Sequence, residues 1–512
     1  MAREFSLSGN TPCLYYVSSK CRTWEPAKSL IIFAPDTVAS SREKLRRFGQ
    51  ESGWLEIAEA DGAVLILPVA EKGWAQESPA LVKDLYKTVW RDTISPDPRE
   101  NLRNVWCWET LIFAVGYDEG AAFAGNCAIA HPNAFAQVAM VNGLPTDAAP
   151  HENTSDRWLL PDASPDWTPK NSEVPVAVWF MGKEPGPWKD IFVLPPKIST
   201  GSFGPDPETT AVIMEEFATR IRWKNSPDGT PARLKPKAQM DTDGEYIFHS
   251  LSHNGHDYEY YVRCPKSGAV PGLPVVICMH GHGEPAWMFA QKNGWPELQE
   301  ECGEFLFVSP DSPEHTWLVE RDEDSMALLV EALFRDYGID KDRVYLTGFS
   351  NGSMATCWYA TRHPELFAAI APWNSPILSF EEELLHNGWQ MPIFAINGDL
   401  DHKMDVPRRS YSILFDHFIR LNGGTPRPDT HFLGAAADDV RTAENYYTPD
   451  RGYSQGHRLT TWVFRCDGVD MVCYTSVKDM PHGAIHDESR ATWDFLRHFR
   501  RMQGHRRVHY TD

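Results

Sequence analysis

A serine acts as a nucleophile only when a base stands ready to take its proton and an acid orients that base. The stretch "RVYLTGFSNGSMATCWYATRH" sets Ser350 between Gly348 and Gly352, after an apolar strand-like run and before a helix-like one. This is the pattern of a nucleophile elbow. Its glycines let strand and helix approach, and the serine stands at a helix N-terminus, where the dipole favours developing negative charge. Downstream, "MPIFAINGDLDHKMDVP" leaves a strand into a loop that holds Asp399, Asp401 and Asp405. Asp401 is the expected acid and Asp399 its closest competitor. Further on, "DMVCYTSVKDMPHGAIHDESRATWDFLRHF" reads as a last strand (Met471–Val477), a turn and a final helix (Asp487–Phe499). His482 follows the strand directly and is the expected base, with His486, beside the helix start, as the alternative. Attack on an acyl carbon also needs backbone donors for the oxyanion. "CMHGHGEPAW" follows an apolar run, so the amides of His282 and of Asn351, the residue after the serine, are the expected pair. Trp287, Trp317 and Trp373 are candidate walls of an apolar or aromatic-acyl pocket, or else core residues. No carboxylate or cysteine at ligand spacing accompanies His280 and His282, so neither a metal nor another cofactor is expected.

Short apolar runs must hold these residues in place. "PVVICMH", "EFLFVS", "RVYLTGF", "FAAIAPW" and "PIFAIN" have strand length and are apolar almost throughout, as in a parallel sheet buried on both faces. Longer amphipathic stretches such as "DSMALLVEALFRDYG" lie between them. The alternation specifies an α/β layer fold, a mainly parallel sheet flanked by helices.

The same blocks occur earlier in the chain, in the same order. "IFAVGYDEGAAFAGNCAIAHPNAFAQVAMVNG" aligns without a gap on the elbow region, with Gly116 on Gly348, Gly120 on Gly352, Phe135 on Phe367 and Asn142 on Asn374. "LIIFAPD" falls on "VVICMHG", "SGWLEIAEADGAVLILP" on "NGWPELQEECGEFLFVS", and "VPVAVWFMGK" on "MPIFAINGD". Ordered blocks of this kind indicate a tandem duplication. Two domains are expected, residues 1–228 and 229–512, with a seam in the Pro-, Gly- and charge-rich stretch Trp223–Gly244.

In the earlier copy Asp118 replaces the serine, Pro185 stands where an acid would be, and no histidine lies between Gly182 and the last helix near Glu208–Ile221. An aspartate nucleophile would still need a histidine to activate water. The earlier copy is therefore expected to be non-catalytic, with Asp118 capping the helix that follows it. It would scaffold, mediate homo-oligomerisation or form part of the substrate pocket.

The formal charge of −21 argues against nucleic-acid or anionic-membrane partners, and 42% apolar residues in 512 is ordinary for globular domains. The start, "MAREFSLSGNTPC", lacks the apolar core of a signal peptide, and no run approaches the ~20 apolar residues of a membrane span. Ten cysteines without a CxxC read as reduced thiols, so a cytoplasmic protein is expected.

The later half resembles the polyhydroxybutyrate-depolymerase and feruloyl-esterase-like branch of the α/β-hydrolases. The marks are "VVICMHGHGE", "GWPELQEECGEFLFVSPD", "GFSNGSMATCWYATRHPELFAAIAP", "INGDLDHKMDVP" and "MPHGAIHDESRATWDFLRHF", spread over most of residues 255–500. The resemblance implies Ser350 as nucleophile, Asp401 as acid and His482 as base. The implied reaction is hydrolysis of short-chain, hydroxyacyl or aromatic-acyl esters, on small or oligomeric substrates. The whole chain would then be two α/β-hydrolase-like domains in tandem. An amidase or peptidase with the same triad, or a non-catalytic hydrolase-like binding protein, are the other readings, and the segment Thr425–Thr460 is a lid or a surface insertion.

Overall fold

In a computed structural model of the chain, the residues described are 3–6, 12–21, 26–86, 106–146, 176–192, 194–222, 231–268, 271–374, 388–401, 408–427, 437–443, 459–478, 480, 482–484 and 487–511. They form two units, one built on Met1–Leu234 and the other beginning at Lys235. This division lies a few residues past 228/229, because Pro231–Arg233 pairs antiparallel with Arg220–Arg222 and so belongs with the first unit.

The first unit is organised on an eight-stranded sheet of β1 (Arg3–Ser6), β2 (Pro12–Val17), β3 (Pro26–Phe33), β4 (Val64–Pro68), β5 (Trp106–Tyr117), β6 (Gln137–Val141), β7 (Ala177–Met181) and β8 (Lys197–Ser199). Its spatial order is β1-β2-β4-β3-β5-β6-β7-β8. Strands β1, β2 and β4 pair antiparallel, and every pairing from β4 to β8 through β3 is parallel.

The second unit follows β9 (Arg220–Arg222) and β10 (Pro231–Arg233) with a ten-stranded sheet. Its strands are β11 (Ile247–His253), β12 (His256–Arg263), β13 (Val275–Met279), β14 (Leu306–Pro310), β15 (Val344–Phe349), β16 (Ala369–Trp373), β17 (Ile393–Gly398), β18 (Asp439–Ala443), β19 (Leu459–Cys466) and β20 (Val469–Val477). The order β11-β12-β14-β13-β15-β16-β17-β20-β19-β18 repeats the first sheet as far as β17. Beyond the parallel β17–β20 pair, β19 and β18 extend the edge antiparallel. Part of the expected insertion Thr425–Thr460 is therefore sheet, and residues 428–436 and 444–458 of it lie outside the described residues.

All residues of β13, β14, β15, β16 and β17 are buried, as helices on both faces of a parallel sheet require. The apolar strand runs of the sequence are this sheet. A further detail recurs in both units. Past the helix Pro207–Phe217, buried Arg222 donates from Nη1 to the main-chain oxygens of Phe135 (2.8 Å) and Pro132 (3.1 Å). Past the helix Asp487–Leu496, buried Arg501 donates from Nε to the oxygen of Phe367 (2.6 Å), and its Nη2 reaches Gln390 O. Each arginine satisfies carbonyls that would otherwise be buried without a donor.

Candidate active site

Strand β15 delivers the chain to Ser350, which adopts φ 54° and ψ −115° before the helix Asn351–Arg362 begins. The flanking glycines are sterically required. A Cβ on Gly348 would come 2.5 Å from Gly352 O, and one on Gly352 would come 2.5 Å from the oxygens of Met279 and His280. The elbow is thus pressed against the end of β13. Ser350 N donates to Trp373 O (3.0 Å), which ties the turn to β16.

Asp401 sits on the turn leaving β17, with its amide on Gly398 O (3.3 Å), and His482 lies on the loop leaving β20. Main-chain bonds join these two loops: Asp399 N to Val477 O (3.1 Å) and Leu400 N to Met480 O (3.0 Å). Asn374, at φ 56° just past β16, donates from Nδ2 to Gly483 O (2.5 Å) and accepts from Gly398 N (2.9 Å). It holds the His482 loop against the end of β17. Asn142 occupies the same place in the first unit, at φ 60°, with Nδ2 on Phe203 O (2.7 Å).

Three side chains meet as a result. His482 Nδ1 is 2.8 Å from Asp401 Oδ2, and His482 Nε2 is 2.9 Å from Ser350 Oγ. An ionised carboxylate only accepts, so Nδ1 carries the proton, donates it to Asp401, and leaves Nε2 free to accept from the serine hydroxyl. The Asp401 side chain is 1% exposed and that of His482 12%. Asp401, not Asp399, is the carboxylate on His482, while His486 lies outside the described residues.

The loop after β13 carries His282. A Cβ on Gly281 would lie 3.5 Å from Ser350 Cβ, so this loop's main chain runs against the nucleophile. Asn351 opens its helix, and its N–H has no intrahelical acceptor. Beneath the loop is a buried charged cluster that the sequence reading did not identify. His280 Nε2 lies 3.0 Å from Asp311 Oδ1, and His315 Nδ1 lies 2.9 Å from the same oxygen. Burial pushes the Asp311 carboxyl up, but the two histidines outweigh it and hold Asp311 well below the usual carboxylate range. Glu284 pairs with Lys292, yet burial keeps its pKa raised. The His282 imidazole is lowered by burial and by neighbouring His280. His280 and Asp311 stand 31 positions apart in sequence, and nothing local marks them as partners.

The tryptophans require correction. Trp373 is wholly buried on β16, stacked 6.0 Å from Trp295, with its indole N–H on Thr492 Oγ1 (3.0 Å). Trp317 is 5% exposed and donates its indole N–H to His280 O (3.2 Å). Both are core residues, not pocket walls. Trp287 is half-buried and packs against the core.

The first unit keeps the conformation of the elbow. Asp118 holds φ 50° and ψ −112°, but its side chain makes no capping hydrogen bond, contrary to the expected cap. Burial and the adjacent Glu119 raise its pKa. Pro185 precedes the short turn Gly186–Asp190.

Among the described residues no group of three or more His, Cys, Asp or Glu side chains could hold a metal, and no helix is long and apolar enough to cross a membrane. Residues 320–383 match the model of the prolyl oligopeptidase family. The chain is 26% identical over 246 residues to the bifunctional acetylxylan esterase/xylanase XynS20E of Neocallimastix patriciarum, covering 47% of this chain and 33% of that protein. It is 28% identical over 183 residues to the putative esterase NocK of Nocardia uniformis subsp. tsuyamanensis, covering 34% and 52%. It thus spans a third of the first relative and about half of the second. The solved acetyl xylan esterase from Aspergillus awamori overlays at TM-score 0.36 with 18% identity, over 49% of this chain and 99% of that one. The chain is thus similar to esterases over part of its length, and both of its units have the layout of a mainly parallel sheet flanked by helices.

Proposed function

We propose that the second unit is a serine carboxylic ester hydrolase in which Ser350 is the nucleophile, His482 the base and Asp401 the orienting acid. The observation that carries this reading is the hydrogen-bonded chain from Ser350 Oγ through His482 to Asp401, at 2.9 and 2.8 Å. Ser350 Oγ attacks the acyl carbon while His482 Nε2 takes its proton. The carbonyl oxygen becomes an oxyanion at the amides of His282 and Asn351. The ester C–O bond then breaks, His482 returns the proton to the departing alcohol, and an acyl-enzyme remains. Water, deprotonated by His482, releases the acid.

Short-chain, hydroxyacyl or aromatic-acyl esters are the substrate class favoured, since the relatives are named as esterases. A peptidase or amidase reading has one observation of its own, the prolyl oligopeptidase match over residues 320–383. Paired ester and anilide substrates with the same acyl group separate the two. Ester turnover far above anilide turnover supports the esterase, and the reverse order replaces it. The first unit we read as a duplicate of the fold that has lost its chemistry and serves as a scaffold or oligomerisation surface.

A further inference from the structure

Both units place a tryptophan beside the elbow, and they anchor it differently. In the first unit the Trp74 indole N–H donates to Ala34 O (2.6 Å), and the Trp74 amide donates to Asp36 Oδ1 (2.9 Å). In the second, the Trp317 indole donates to His280 O, and the Trp317 amide donates to Asn351 Oδ1 (2.7 Å). Asn351 Nδ2 donates in return to Trp317 O (3.2 Å), so its side chain pairs with both main-chain groups of one residue. Asp36 lies just past β3, the counterpart of the β13 loop. Asn351 lies on the elbow itself, directly after Ser350.

The segment that carries Trp317 is also bound to the loop of the other oxyanion donor. Gly283 N donates to His315 O (2.7 Å), Ser312 N lies 3.2 Å from His280 Nε2, and Thr316 Oγ1 lies 3.2 Å from His282 Nδ1. Asp322, 1% exposed, holds the segment from behind through Leu318 N (2.8 Å), Ser312 Oγ (3.2 Å) and Tyr258 OH (2.9 Å). Hydrogen bonds therefore run from the Asn351 side chain through the Trp317 segment to the His280–Gly283 loop, and the residues of both expected oxyanion amides lie on this chain.

Resting on the serine-hydrolase reading above, we infer that the Asn351 side chain is a positioning residue, which fixes the spacing of the His282 and Asn351 amides by clamping the main chain of Trp317. An oxyanion needs its donors within about 2.7–3.1 Å of the oxygen's transition-state position, and a displacement of about 1 Å costs about a hundredfold. The clamp supports a charge that exists only after attack, so its loss acts on kcat and leaves KM in place.

The test uses the full chain with Asn351→Ala and Trp317→Phe, an aryl ester substrate, and phenylboronic acid as a tetrahedral mimic. Asn351→Ala is expected to lower kcat about 10- to 100-fold with KM within about twofold, and to weaken boronate inhibition by a matching factor. Unchanged kcat and boronate affinity, or a KM effect alone, overturns the inference. Trp317→Phe keeps the main-chain clamp and loses only the indole bond to His280, so it should lose about three- to tenfold in the same two readouts. If Asn351→Ala does not fold, Asn351→Ser decides, because its hydroxyl is too short to pair with both main-chain groups of Trp317, and wild-type kcat and boronate affinity for it overturn the proposal. Fluorophosphonate labelling of the unmutated chain separates the two claims. No label on Ser350 sinks the serine-hydrolase reading and the inference with it. A label on Ser350 with unaltered variants sinks the positioning role alone.

Discussion

Asp118 and Ser350 hold the same backbone conformation, φ 50° and ψ −112° at the first, φ 54° and ψ −115° at the second. A residue with a Cβ pays about 1–3 kcal/mol for such a conformation, and it persists only where the surroundings enforce it. At Ser350 the hydroxyl meets His482, whereas among the described residues no histidine is bonded to Asp118.

Asp118→Gly should therefore raise stability by about 1 kcal/mol, the relief of strain less the extra freedom of glycine in the unfolded chain. Asp118→Ala removes no cap and should shift stability by less than about 0.5 kcal/mol. Ester turnover should stay unchanged in both. Urea unfolding read against these values decides, and a destabilised Asp118→Gly would mean that the carboxylate makes its own contribution.

Replacing the nucleophile is the direct test of the site. Ser350→Ala should stay folded and lose ester turnover by about a thousandfold or more. His482→Ala should be nearly as damaging and His486→Ala mild. Near-normal turnover of Ser350→Ala would refute the assignment, and the opposite order of the histidines would move the base to His486.

Asp401→Asn probes orientation and not nucleophilicity. An amide facing His482 can donate to Nδ1 and so place the ring proton on Nε2, where it blocks acceptance from Ser350. A fall in kcat of about 10³–10⁴-fold is expected, with the fold intact by circular dichroism. A loss of tenfold or less would mean that another carboxylate, Asp399 first, orients the ring.

The Asp311 cluster predicts an acid-sensitive term in stability. With its folded pKa held below the usual value by His280 and His315, Asp311 stabilises the fold in its ionised form. That contribution is complete above the unfolded pKa of about 3.9 and drains away as pH falls below it. Glu284, raised by burial, has the opposite sign, so the informative quantity is the gap between wild type and Asp311→Asn. The gap should be widest near neutrality and narrow as pH drops below about 4 in thermal melts. A gap independent of pH would contradict the linkage.

Much of this architecture is legible in the sequence because a parallel sheet announces itself in short, wholly apolar runs, and the chemistry of such folds stands at strand ends. Ser350 follows such a run directly and Asp401 and His482 lie on the loops just after one, which is how the sequence can propose them, and the fold brings the three within hydrogen-bond distance. For Trp317 and Trp373 the sequence leaves pocket wall and core open, because nearness to a motif says nothing about the direction of a side chain, and both turn inward. Asp118 was expected to cap because acids do so at helix starts, but capping needs an extended φ and ψ and the elbow imposes another pair. The Asn351–Trp317 clamp and the His280–Asp311 pair join residues more than thirty positions apart. Only the packed fold brings them together.

The two buried arginines bear on how such units can be recombined. Arg222 and Arg501 each come after their unit's last described helix, yet each reaches back to a carbonyl on the turn that enters a central strand of its own sheet. A chimera cut before the arginine would leave the carbonyl of Phe135 or Phe367 facing the interior without a donor. A cut beyond it carries the donor along. Viable crossovers should therefore cluster downstream of these arginines, and a shuffled library that ignores them should yield mostly insoluble chains.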